Sequence, residues 1–320
     1  MSQSRLRARR PGGTLWHLAL SWMIAASAAC AAGGPALAAD AVQRDFPAPD
    51  KAAAALVAAL RANDQKTILQ ILGPDGEKLI HSGDPVADRR GRERLVAAYD
   101  KAHRVQVEGG AATLIVGAES WSLPIPMVKT GDRWRFDTVA SAQKIIDRRV
   151  GRNELSVIEV CRAYVAAQRE YSSEHPLGKG THEYAQKFES SPGQHDGLYW
   201  EAAPGEPQSP LGPLVAKARA HGYGDEAHGW EPSPYHGYFY RILTRQGAHA
   251  PRGAKDYVVG GHMTAGFALL AFPARWGDSG IMTFMVNQDG IVFQKNLGPD
   301  TERLAGEIKE YDPDTSWTTP

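Results

Sequence analysis

Gly277-Asp278-Ser279-Gly280 is the stretch of this chain that spells a nucleophile. An Asp-Ser pair between glycines surrounds the reactive serine of serine proteases, whose hydroxyl attacks a carbonyl while a histidine takes its proton. That signature continues Gly-Pro. Here Ile281-Met282 follow, and no Thr-Ala-Ala-His-Cys counterpart lies upstream. The favoured reading is a loop between two strands, with Gly280 leading into the second.

The 11 histidines are the next place to look. His175, His182, His195, His221, His228 and His236 gather in one segment, yet no His-x-His, no i/i+4 pair and no His-Glu-x-x-His occurs. Those short spacings pre-organise zinc. The six are read as solvated loop residues, and no metal is expected. The chain has no phosphate-cradling glycine loop, no dinucleotide fingerprint and no Cys-x-x-Cys, so no cofactor is expected either.

General acid–base work needs a carboxylate or histidine inside a cavity. Glu119, Asp132 and Asp137 are the candidates in the first half. A turn accounts for Asp132, and capping of the next helix accounts for Asp137. No catalytic residue is therefore assigned, and the chain is read as leaning away from an enzyme. Recognition has better candidates. Trp200, Trp230 and Tyr235 sit in a segment rich in Gly, Pro and His, where aromatics held on a rigid scaffold make partner contacts. Trp121, Trp134, Phe136, Tyr238 and Tyr240 alternate as strand residues do and are expected in the core.

The elements that must position these residues follow from periodicity. Helices are predicted at Ala52–Leu60, Asp64–Leu72 and Asp88–Lys101, then strands at Arg104–Glu108, Thr113–Gly117, Trp121–Val128 and Arg133–Asp137. Pro124 and Pro126 place an edge or bulge in the third strand. Val139–Tyr171 reads as helical with a break at Arg148–Arg152, Asn153 capping a new helix. The segment 174–234 is a long loop with a short helix at Pro213–Ala220. Strands return at Tyr238–Thr244, Tyr257–Val259, Phe267–Phe272, Met282–Asn287 and Ile291–Lys295, and a helix from Pro299 to Tyr311 closes the chain. Asp289-Gly290 is read as a tight hairpin turn with two positive-φ residues. The class is α+β, with one module at 40–150 and a second at 151–320.

Residues 1–39 read as a signal peptide. Arg5, Arg7, Arg9 and Arg10 precede an apolar core from Leu15 to Ala29, and Ala36-Leu37-Ala38 offers a cleavage site. The core is too short for a membrane span, so no transmembrane segment is expected once it is removed. Ser27-Ala28-Ala29-Cys30 resembles a lipoprotein box with Ser27 in place of Leu, which makes Cys30 a secondary candidate for lipidation. The expected location is the periplasm or cell envelope of a Gram-negative bacterium, or outside it. Without the four signal arginines, the 36 basic residues become 32 against 36 acidic ones. Nucleic-acid binding needs a basic surplus and is not expected. Cys161 then stands alone, as a buried structural thiol.

Three resemblances add to this. Trp121…Pro124-Ile125-Pro126-Met127-Val128…Gly131-Asp132-Arg133-Trp134-Arg135-Phe136-Asp137 is similar to the last strands of the nuclear-transport-factor-2-like (cystatin-like) cone. Arg148-Arg149-Val150-Gly151-Arg152-Asn153-Glu154-Leu155, Tyr164…Ala167-Gln168-Arg169-Glu170-Tyr171 and the closing hairpin through Leu297-Gly298-Pro299-Asp300 resemble the bacterial family called domain of unknown function 2950. The second half also resembles a type IV pilin or pseudopilin head. Its long helix, however, carries Glu159, Arg162, Arg169 and Glu170, which cannot form an apolar pilus core. The combined reading is an exported, non-catalytic binding or assembly factor of the envelope, contacting an unknown envelope protein through the 174–234 loop. The alternative is a small-molecule-binding protein or enzyme using a cavity in the first module. An open cavity lined by a buried, unpaired carboxylate or histidine favours that alternative.

Overall fold

The computed structural model describes residues 43–178, 180–224 and 233–320. The expected signal peptide with Cys30, and the loop residues His228 and Trp230, lie outside them.

Helix α1 (Pro49–Arg61) has proline in its first turn and buries Ala52, Ala53, Leu56, Val57 and Leu60 on one face. In α2 (Gln65–Leu72), Asp64 caps by accepting from the Thr67 amide at 3.0 Å. A turn leads to α3 (Glu77–Ile80), and α4 (Pro85–Lys101) follows, capped by Asp84 on the Ala87 amide at 2.9 Å. Strands β1 (His103–Glu108), β2 (Ala111–Val116), β3 (Trp121–Ser122), β4 (Met127–Thr130) and β5 (Arg133–Phe136) make an antiparallel sheet ordered β1-β2-β4-β5, with β3 on β2. Pro124 and Pro126 split the predicted third strand into β3 and β4. Leu56, Ile68, Ile71, Leu114, Met127 and Phe136 centre the first core. Trp121 does not join it: alternation predicts a core residue, but the short β3 leaves it 52% exposed.

The predicted break in the long helix is absent. Helix α5 runs unbroken from Val139 to Glu174 through Arg148–Arg152 and Gly151. Asn153 is no cap; its amide donates to the Ser279 carbonyl at 2.8 Å. Nearby, Glu154 Oε1 accepts from the Ile281 and Met282 amides at 2.9 and 3.0 Å. These tertiary bonds favour a continuous helix across a glycine that costs about 1 kcal/mol against alanine.

After α5 come β6 (Pro176–Gly178), β7 (Thr181–His182), α6 (Gly212–Ala220) and β8 (Tyr238–Leu243). Short strands β9 (Arg245–Gln246), β10 (Lys255–Asp256), β11 (Val258–Val259) and β12 (His262–Met263) precede β13 (Ala268–Pro273), β14 (Met282–Asn287) and β15 (Phe293–Asn296). The second large sheet is antiparallel, ordered β15-β14-β13-β8. The C-terminal half of α5 lays Val157, Cys161, Tyr164, Val165 and Tyr171 into the core it shares with this sheet. Burial pushes the Cys161 thiol up to about 12, so it stays protonated and inert.

Two local readings change. Asp289-Gly290 is not a two-residue turn, because Met285 pairs with Phe293 and only Gly290 has positive φ. The Asn287 side chain instead accepts from the Asp289 amide at 3.0 Å, and the loop is longer. The closing helix α7 (Thr301–Glu307) stops before Tyr311, which is buried by pairing with Gln246. Among the described residues, no helix is long and apolar enough to cross a membrane.

Candidate functional site

Helix α4 buries one residue, Val86, over 17 positions. The reason is the composition of one stripe: Ala87, Gly91 and Ala98 alternate with Arg90, Arg94 and Lys101 at spacings of three and four. Small and basic side chains stand where a packed helix carries Leu or Ile. Helix α5 answers with Ile145, Arg148, Arg149, Arg152, Asn153 and Ser156 at the same periodicity. A groove opens between these stripes. One chamber of about 510 Å³ lies toward His221 and His236, and an adjoining one of about 690 Å³ lies toward Trp121. Both are lined by Leu79, Gly91, Arg94, Leu95, Leu123, Ile125, Ile145 and Arg152.

The walls divide by chemistry. Leu60, Leu79, Leu95, Leu123, Ile125 and Ile145 form an apolar floor continuous with the first core. Above it stand Arg90, Arg92, Arg94, Arg149 and Arg152, with Lys101 and Arg148 farther along; the acids lining it are Asp88 and Glu119. Arg89 pairs with Glu93 at 3.9 Å. Among the described residues Arg90, Arg94 and Arg152 make no ion pair. A Cβ placed on Gly91 would meet no atom within 4 Å, so the glycine faces open space.

The frame is held by buried polar contacts. Asp84, 1% exposed, accepts from the Tyr223 hydroxyl and the Gly237 amide, both at 2.8 Å, besides capping α4. Asp88 accepts from the Ser82 amide at 2.8 Å, and burial raises its pKa above the usual carboxylate value. Arg149 donates to the Lys78 and Leu79 carbonyls at 2.9 and 2.8 Å, and burial lowers its pKa despite the pull of Asp88. The His221 and His236 rings close one end, 6.1 Å apart. Burial first, then Arg90 and Lys217, lowers His221; burial first, then His221, lowers His236. Both imidazoles therefore hold a proton less readily than a free histidine.

The residues singled out by sequence fall in different places. Ser279 is fully buried, its hydroxyl donating to the Arg275 carbonyl at 3.1 Å and accepting from the Arg275 amide at 2.9 Å. It builds a turn. Asp278, also buried, has Lys78 and Arg275 at 3.9 Å. Glu119 lines the Trp121 end of the groove; Asp137 accepts from the Ala140 amide at the start of α5, and Asp132 is exposed in its turn.

The histidines are not uniformly solvated. His175 stacks on Tyr171 and His195 on Trp200, while His221 and His236 turn inward. Among the described residues no group of three or more His, Cys, Asp or Glu is placed to hold a metal. Trp200 is half-buried, with its indole nitrogen enclosed and unpartnered. Tyr235 packs edge-on against Tyr223 at 4.9 Å. The groove itself escaped the sequence reading, although the small-and-basic stripe on α4 was its signal. So was Arg148–Arg152, which marks a lining face of a continuous helix.

The chain belongs to the family described as Protein of unknown function (DUF2950), which it matches over residues 43–319. No curated protein and no solved structure matches it.

Proposed function

We propose that this member of the family is a non-catalytic binding protein that takes a small anionic ligand into the groove between α4 and α5. One observation carries the reading. Arg90, Arg94 and Arg152 face a cavity with no ion-pair partner among the described residues. Unpaired guanidiniums lining a partly apolar cleft are strong donors for carboxylate or phosphate oxygens. Binding without chemistry suits the rest of the lining. Asp88 is engaged by a backbone amide, and the serine with a nucleophile's flanks lies elsewhere and is buried.

The groove supports the cavity reading over contact through the 174–234 loop, because Trp200 and Tyr235 are half-buried against neighbouring rings. Export and an envelope location belong to the same proposal and rest on residues 1–39. The test is a thermal-shift titration with butyl phosphate at low salt, on the wild type and on Arg90→Gln/Arg94→Gln/Arg152→Gln. Ligand-dependent stabilisation of the wild type, weakened by salt and lost in the triple variant, is expected. No response from the wild type to butyl phosphate or to its longer-chain homologues would overturn the reading.

A further inference from the structure

The groove is larger and greasier than an anion needs. A free phosphate or carboxylate would occupy the guanidiniums and leave the floor of Leu60, Leu79, Leu95, Leu123, Ile125 and Ile145 wet. That floor is elongated. Between Ala87 and Lys101, α4 flanks it for about 21 Å, at 1.5 Å per residue. The two chambers share their central lining and so adjoin along this direction.

Gly91 points the same way. A glycine inside a helix is unfavourable against alanine, and no neighbour lies within 4 Å of where a Cβ would stand. Nothing in the packing requires it. The glycine keeps the middle of the groove unobstructed, between the positions of Arg90 and Arg94. The cations stand on both walls, Arg90 and Arg94 on α4 and Arg152 on α5, and apolar residues line the same space, a combination that matches one ligand with two chemically different parts.

Resting on the anion-site reading above, we infer that the ligand is a single-chain amphiphile with an acidic head, its head among Arg90, Arg94 and Arg152 and its chain along the apolar floor past Gly91. The head can be the carboxylate of a free fatty acid or the phosphate of a lipid fragment, since both present oxygens to guanidinium forks. A bulky polyanion is disfavoured because its charges would be buried on the floor.

The experiment is a calorimetric titration of the purified protein, below micellar concentrations, with butyl, octyl and dodecyl phosphate, dodecanoate and dodecanol. Affinity is expected to tighten about fourfold for each methylene buried, until the chain fills the groove. Dodecanol should bind at least about tenfold more weakly than dodecyl phosphate, as expected when the charge-assisted bonds are missing. Comparison of dodecanoate with dodecyl phosphate separates the two head chemistries. Gly91→Trp fills the open space; with circular dichroism confirming that it folds, it should keep butyl phosphate binding and lose the gain with chain length.

Equal affinity for butyl and dodecyl phosphate overturns this inference and leaves the anion site standing. Dodecanol binding as tightly as dodecyl phosphate overturns the acidic head. No binding by any of the phosphates overturns both the inference and the reading beneath it.

Discussion

The Tyr223 hydroxyl donates to Asp84 Oδ2 at 2.8 Å, joining two residues 139 positions apart in the sequence. Asp84 also caps α4 and accepts from the Gly237 amide, so one carboxylate fixes the basic helix and the segment that carries His236. Asp84→Ala strands two buried donors and removes a cap. A loss of about 3–5 kcal/mol is expected in urea unfolding, and Asp84→Asn, which keeps an acceptor oxygen, should lose less. A cost under about 1 kcal/mol for the alanine variant would remove Asp84 from this role.

Gly91→Ala should raise stability by about 0.5–1 kcal/mol, since the added methyl meets open space and the helix gains propensity. Denaturant midpoints check this. A destabilised variant would mean that the groove is not open at that point.

Glu154→Ala should cost about 2–3 kcal/mol, because the Ile281 and Met282 amides lose a charged acceptor. Glu154→Gln retains an acceptor oxygen and should recover part of that loss. If both variants match the wild type in chemical denaturation, these bonds do not anchor α5 to the second sheet.

Gly280→Ala should be among the most damaging single-methyl changes. A Cβ there overlaps the ring of Tyr238, which is fully buried and donates to the Met282 carbonyl at 2.9 Å. A loss of about 3 kcal/mol or more is expected from overpacking together with strain on that bond. Low soluble yield with a lowered melting temperature would bear this out, and wild-type melting would contradict it.

The two groove histidines predict a pH dependence with a definite sign. Their folded pKa values lie below the ordinary 6.5, so the unfolded chain binds protons more readily. Above about pH 6.5 both states are neutral and nothing is lost. As pH falls from 6.5 toward the lowered values, stability declines. His221→Asn/His236→Asn should therefore flatten the fall in unfolding free energy between about pH 7 and pH 5. Asn suits position 236, where φ is +52°. His249, whose pKa Asp312 raises, has the opposite sign but is present in both proteins and cancels. Equal slopes would show that the pair does not titrate in this way.

Much of the fold is legible locally. Pro49, Asp64, and Gly73-Pro74 mark helix limits through φ restriction and capping, and the short β-favouring run Met282–Asn287 marks a buried strand. The groove was legible only in part. Arg148–Arg152 looks like an interruption because it breaks the apolar periodicity and Gly151 lowers helix propensity. In the folded chain, the bonds from Arg149, Asn153 and Glu154 favour the helix that propensity leaves marginal.

By itself, then, the sequence determined the α+β class and most helix starts, because those depend on residues close in the chain. Tertiary structure decided what faces what. Arg90 and Arg152 line one cavity, Asn153 reaches the Ser279 carbonyl, and Asp84 finds Tyr223. Each is a juxtaposition of segments far apart in sequence, whose energy exists only once both cores have formed.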